Sequence, residues 1–229
     1  GVRYKGRILG PLRNSYLAFR GKPGERRHPI LEGFDDAAYT VNTIRSVDAE
    51  PTGAIADAPI TLIPSYPDLP MEQVYPRVAR TDTPGVFARN FGRGRVVYFP
   101  FDIDRTFWEV LATDHGLVLK NAVAWATNEE QPLVVEGRGM LDVSLWMQKD
   151  SVTAHLVNLT NPMMMKGPVR EIIPAPQQEV RIRVPDGRRV RKAHFLVSGK
   201  TPVYRESGGV VSLTVPSIEL HEVIALDLA

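Results

Sequence analysis

Two carboxylates two residues apart, Asp102 and Asp104, are followed at once by Arg105. Acids at this spacing are able to act as a proton donor and acceptor pair, or to hold a sugar hydroxyl. They lie just past an apolar run at Tyr98, and ligands of open α/β sheets bind beyond the carboxyl ends of strands. The plainer reading is favoured: loop acids satisfy backbone donors, and Arg105 serves as their ion-pair partner. Phe107 and Trp108 come next. An aromatic ring beside carboxylates is a platform for the C–H face of a sugar. Packing between the loop and a following helix is the favoured use of the pair.

Trp146 is the second aromatic of interest. It falls in register with Asp142, Ser144 and Gln148, the polar side of an alternating segment. An outward tryptophan marks a domain interface, ranked first, or a carbohydrate platform. The histidines, His28, His115, His155, His194 and His221, show no metal-ligand spacing such as H-x-x-x-H. Gly92-Arg93-Gly94 leads into a strand and lacks a full G-x-G-x-x-G, so it reads as a hairpin turn rather than a phosphate loop. Arg181, Arg183, Arg188, Arg189, Arg191 and Lys192 form a basic cluster without interleaved aromatics. A solvated or acid-paired strand face is favoured over nucleic-acid binding. Asn158-Leu159-Thr160 matches a glycosylation sequon.

Composition narrows the classes. The 229 residues suffice for one large domain or two small ones, and the 43% apolar content supports a packed core. A formal charge of +2 gives no reason to expect a polyanionic partner. The absence of cysteine excludes disulfides, thiolate zinc sites and a cysteine nucleophile. No cofactor is called for. No apolar run approaches the ~20 residues that span a bilayer, and the amino terminus lacks a signal-peptide core. The compartment stays open, with a soluble cytoplasmic setting favoured.

The elements that must hold these residues differ between 1–128 and 129–229, with a boundary at Asn128-Glu129-Glu130-Gln131-Pro132. In the first part, Tyr39–Val47 and Pro59–Ile63 have strand character, and the proline-rich stretch 64–76 is an extended loop. Segments 86–90 and 95–101 pair around Gly92 and Gly94. The continuous run Val96 to Phe99 predicts a strand covered on both faces, followed by a short polar loop. Asp114 is the expected N-cap of a helix from about His115 to Ala126. In the second part, Leu141–Met147, 152–159, 179–184, 190–197, 210–215 and 221–228 alternate or run apolar between turn signals. About eight strands argue for an immunoglobulin-like β-sandwich.

The block FGRGRVVYFP at 91–100, the DIDRTFW that starts at Asp102, LKNAVAWA at 119–126, HLVNLTNP at 155–162 and HEVIAL at 221–226 together resemble the C-terminal region of bacterial glycoside hydrolases of the β-galactosidase and α-fucosidase-like type. That resemblance implies a partial amidotransferase-like, flavodoxin-like α/β domain over 1–128, with an assembly (trimerisation) role, and an immunoglobulin-like sandwich over 129–229. It implies that a catalytic barrel precedes this region, so no catalytic residue transfers here. Too little chain precedes the 92–127 block to build the sheet it would close, and the sequence is expected to be the rear of a larger protein. The expected partners are that catalytic region or other subunits of a homo-oligomer, with carbohydrate as a further ligand, and neither nucleic acid nor membrane. Three functions follow: a non-catalytic scaffolding and oligomerisation region; a carbohydrate-binding module using Trp146 or Trp108; and an independent hydrolase using Asp102 and Asp104. A glycosidase needs its carboxyl groups roughly 5–10 Å apart.

Overall fold

The computed structural model describes residues 1–53, 58–66, 70, 73, 77–160 and 171–229. The chain forms two compact units, Gly1–Glu129 and Glu130–Ala229. The described residues are mainly β, with several small sheets and two α-helices. Among the described residues, every strand pairing is antiparallel. No helix of the described residues is long and apolar enough to cross a membrane.

The first unit holds three small sheets. β1 (Val2–Leu9) pairs with β4 (Ser46–Pro51). Arg3 and Lys5 meet Glu50, and Arg7 meets Asp48, across this exposed ribbon. β2 (Tyr16–Phe19) lies between β3 (Tyr39–Val41) and β5 (Ile60–Ile63). β6 (Phe87–Phe91) and β7 (Gly94–Tyr98) make a hairpin. Gly92 turns that hairpin with φ +58, which a side chain would resist. The helices α1 (Ile103–Val110) and α2 (Thr113–Thr127) follow. One core joins Leu17 and Phe19 of β2, Ile60 of β5, Ile103 of α1, and Val118 and Ala122 of α2. A 3-10 turn at Pro29–Leu31 adds Ile30 and Leu31. Asn121 fixes α2 to this turn by donating to the carbonyls of Ile30 (3.1 Å) and Glu32 (2.8 Å).

Several local expectations change here. The segment Tyr39–Val47 is two strands, β3 and β4, separated at Asn42–Arg45. Asp114 is not the cap of α2. The N-cap is Ala112, and Asp114 sits in the first turn, accepting from the Thr40 hydroxyl at 2.9 Å. The carboxylate still stands at the positive end of the helix dipole. The polar loop expected after β7 is helix α1. The run Val96–Phe99 is covered on one face only. Val97 and Phe99 pack against the core, whereas Val96 and Tyr98 are 44% and 38% exposed. The proline-rich stretch 64–76 lies largely outside the described residues.

The second unit has two antiparallel four-stranded sheets. One has the order β12-β15-β10-β9 and the other β13-β14-β11-β8. The strands are β8 (Leu133–Gly137), β9 (Leu141–Met147), β10 (Ser151–Asn158), β11 (Gln178–Arg183), β12 (Val190–Phe195), β13 (Tyr204–Ser207), β14 (Val210–Val215) and β15 (His221–Leu228). Alternate residues of both sheets meet in one core. Val152, Ala154, Leu156, Ile224 and Leu226 come from the first sheet, and Val180, Ile182, Val211, Leu213 and Val215 from the second. This is the period-2 signature of strands that bury one face each. In this unit, β8 and β13 are the strands without a sequence-based assignment.

Asn158 ends β10 inside this unit and is 7% exposed. Its amide donates to the carbonyls of Ile173 (2.8 Å), Ile218 (3.2 Å) and Glu219 (2.7 Å), and its Oδ1 accepts from Thr160 N–H. The sequon is therefore a structural clamp whose nitrogen is not open to a glycan. Asn158→Ala strands these backbone groups, and Asn158→Asp sets a charge against carbonyl oxygens. Urea unfolding should show a loss of about 1–3 kcal/mol for the alanine variant and a larger one for the aspartate variant.

Candidate functional site

The first candidate site forms where β3, β4 and α1 meet in the first unit. Asp102 occupies the N-cap position of α1, and its carbonyl accepts from Thr106 N–H at 3.0 Å. Its carboxylate turns back instead of capping the helix. It accepts from Arg45 N–H at 3.0 Å and from the Arg105 guanidinium. Arg105 also bridges to Glu109 at 2.9 and 2.8 Å, closing an Asp102–Arg105–Glu109 network along the helix. Burial by itself would raise the Asp102 carboxyl. Hydrogen bonds from Arg105, Arg45 N–H and Thr43 outweigh it and hold the group below the usual carboxylate range. The same contacts push the Arg105 guanidinium up, the hydrogen bond to Asp102 first and that to Glu109 second.

Asp104 is exposed in the first turn of α1, in the position that complements the helix dipole. Trp108 lies one turn further on and is 59% exposed. Phe107 points the other way and packs between the helices, so close to Gly116 that an added Cβ would sit 2.8 Å from its ring. The structure thus brings Asp102 and Arg105 together as a brace and leaves Asp104 and Trp108 on the outside. A carboxylate already holding a guanidinium and a backbone N–H is a poor proton shuttle near neutral pH.

A groove of about 750 Å³ lies elsewhere in this unit, with Tyr4, Phe87, Arg89, Val96, Tyr98 and Trp125 among its walls. A run of four apolar residues at Val96–Phe99 hides this groove in the sequence, since it predicts cover on both faces. The alternation of Val96 and Tyr98 against Val97 and Phe99 was the available signal.

The second unit holds Trp146, 62% exposed on the edge strand β9 and opposite Thr153 of β10. The basic cluster of this unit is dispersed by acids. Arg181 pairs with Glu136, Arg183 with Glu130, and Arg188 with Asp150. The histidines are individually placed. His28 accepts from Ile30 N–H at 3.2 Å, and buried His115 bonds the Val41 carbonyl at 2.9 Å. His194 meets Asp227 at 3.2 Å, and His155 stacks on His221. Among the described residues, no three His, Cys, Asp or Glu side chains converge as a metal site.

No family model matches the chain, and no curated protein matches it. Among solved structures it is similar to α-L-fucosidase isoenzyme 2 from Paenibacillus thiaminolyticus. That match has a TM-score of 0.66 at 16% identity and covers 100% of this chain. The chain spans only 34% of the length of that fucosidase. A β-galactosidase from Bacillus circulans sp. alkalophilus matches at TM-score 0.49 and 13% identity, over 99% of this chain and 24% of its own. At such identities the likeness is one of fold, and the fucosidase match carries it. The whole chain folds like one part of a much longer glycoside hydrolase.

The brace at Asp102 has a pH signature. Asp102→Ala should cost about 1–3 kcal/mol at neutral pH, since it strands Arg45 N–H and unpairs Arg105. The folded carboxyl titrates below its unfolded value of about 4, so its stabilisation is present above that value and is lost as pH falls through the folded one. Urea midpoints of wild type and Asp102→Asn should therefore differ near neutral pH and converge as the pH falls through the lowered folded value. A constant gap would show that the charge is not what stabilises.

Proposed function

We propose that this chain is a non-catalytic support and assembly region of a carbohydrate-active glycoside hydrolase. In this reading the first unit is the rear part of an amidotransferase-like α/β domain, and the second is an immunoglobulin-like sandwich. The observation that carries the proposal is the likeness of the entire chain to a third-length portion of an α-L-fucosidase, 34% of that chain. The chemistry around α1 supports the same reading, because Asp102 is committed to Arg105 and Arg45. An assembly role also fits the outer face of the β6–β7 hairpin. Phe91 (65% exposed), Val96 and Tyr98 stand there with Tyr4 of β1 nearby in the groove wall. Apolar groups grouped on one hairpin face are costly to leave in water and gain by docking against protein.

Hydrolysis of 4-nitrophenyl α-L-fucopyranoside and 4-nitrophenyl β-D-galactopyranoside by the purified chain should stay at the buffer rate. Turnover that Asp104→Asn abolishes would sink the proposal in favour of an independent hydrolase. Light scattering should give a mass that is a multiple of 25.5 kDa. Val96→Lys with Tyr98→Asp should reduce it to the single-chain mass without unfolding.

A further inference from the structure

The outer face of the β12-β15-β10-β9 sheet carries a set of side chains unlike the rest of the second unit. The register orders them in rows across three strands. Trp146 stands opposite Thr153, which stands opposite Ala225. Ser144, His155 and Val223 form the next row, and Asp142, Val157 and His221 the third. All point away from the core, because the alternate residues Leu141, Leu145, Val152, Ala154, Leu156, Ile224 and Leu226 belong to it. The His155 and His221 rings stack at 5.5 Å between centroids and 18° between planes.

Several polar side chains elsewhere in this unit are engaged. Arg181 holds Glu136, Glu179 accepts from Thr214, and Glu222 accepts from the N–H groups of Val197, Ser198 and Val223. On the outer face, the side chains of Asp142, Ser144, Thr153, His155 and His221 make no hydrogen bond with any described residue. An exposed indole plate thus adjoins a row of unengaged donors and acceptors.

The charge of the face selects its occupant. The three rows contain one carboxylate and two imidazoles, and on β12 the same face continues with His194 opposite Ala225 and Lys192 opposite Asp227. Nucleic acid or an acidic peptide finds no cation in the rows beside Trp146, and Lys192 on β12 stands opposite Asp227. An apolar protein surface finds Trp146 ringed by Ser144 and Thr153 instead of a continuous apolar patch. A neutral sugar offers what the face lacks, a C–H ring face for the indole and hydroxyls for the imidazoles, hydroxyls and carboxylate. We propose that this face binds a neutral oligosaccharide, with Trp146 stacking one ring and Ser144, His155 and Asp142 receiving hydroxyls further along. At ~3.3 Å per residue, Trp146 and Asp142 are ~13 Å apart along β9, more than a single pyranose spans. The ligand is therefore two or more rings long. This assignment goes beyond the support role proposed above and stands on separate residues.

The test uses the whole chain with lactose, xylotriose, cellotriose and maltotriose, followed by saturation-transfer NMR and calorimetry. Saturable binding of at least one probe is expected, tighter than that of its monosaccharide. Trp146→Ala should abolish it, and His155→Ala or Asp142→Asn should weaken it about tenfold. Ser144→Arg, which keeps the indole but blocks the track, should also abolish it, and Trp108→Ala should leave it intact. The proposal is overturned if no probe binds at millimolar concentration or if binding survives Trp146→Ala. It is also overturned if Trp146→Ala changes the molecular mass by light scattering, which would assign the face to a protein contact. Mass changes caused by the hairpin variants of the first unit report on the support role alone.

Discussion

A β-strand has two faces, and one core serves only one of them. That constraint shapes the whole chain, because every described pairing is antiparallel and its sheets have two to four strands each. The second unit meets it directly. Two sheets of four strands send alternate residues to a shared core, and Val152, Leu156, Ile182, Val211, Ile224 and Leu226 are fully enclosed. The first unit has less to work with. Its core gathers Leu17, Ile30, Leu31, Ile60 and Val118, and β6–β7 reaches it only through Ala88, Val97 and Phe99. What remains is an outward hairpin face with Phe91, Val96 and Tyr98, and a ribbon, β1, that is exposed along its length. The apolar side chains there have no core of their own to enter.

The same scarcity explains why the polar residues that look most reactive turn out to brace the fold. Short strands and turns leave many backbone N–H and C=O groups without ladder partners, and buried ones must be satisfied. Asp102 serves Arg45 N–H, Asn121 serves the carbonyls of the 3-10 turn, and Asn158 serves three carbonyls at once. Gln178 bridges the carbonyls of Arg138 and Pro176, at 2.9 and 2.7 Å. Gly137 lies against it, and a Cβ there would fall within 2.2 Å of the amide oxygen. Glutamate 222 closes the turn after β12 with its carboxylate. A carboxylate or amide in such a position has its lone pairs and protons already taken. Acid content alone is therefore a poor guide to chemistry in this chain.

Legibility followed periodicity. Strands β9, β14 and β15 are readable to the residue, β9 and β14 with turn signals beside them at Lys149-Asp150 and Gly208-Gly209. The hairpin β6–β7 was readable from Gly92 and Gly94. β1, β2, β8 and β13 carry no strand assignment from sequence: YRES has no apolar stripe, and VRYKGRIL alternates Val2, Tyr4 and Ile8 with Arg3, Lys5 and Arg7 but is exposed along its length. Helix α1 was hidden by the cluster Asp102, Asp104 and Arg105, which looks like a loop. Its amphipathicity appears only once Ile103 and Thr106 are seen to face inward. Of the candidate site residues, the pairing of Asp102 with Arg105 was legible from their spacing. The outward set of Trp146 was legible only along β9. Thr153, His155 and His221 join it through cross-strand register, which one segment of sequence does not encode.

Trp108 and Trp146 are exposed to nearly the same degree, and the difference between them lies in the surfaces that carry them. Trp108 sits on a helix of eight residues, where successive side chains turn by about 100° and its neighbours one turn back are Asp104 and Arg105, the latter already held by Asp102 and Glu109. Val110, also exposed, points elsewhere around the helix. Trp146 sits on a sheet, where neighbours repeat every ~6–7 Å along a strand and every ~4.8 Å across strands, all facing one way. A ligand with many weak hydrogen-bonding groups gains from a lattice and little from a single ridge. Each contact is worth little alone, and affinity depends on several being made without fresh ordering of the protein. The cross-strand hydrogen bonds that build β9, β10 and β15 have already fixed those positions.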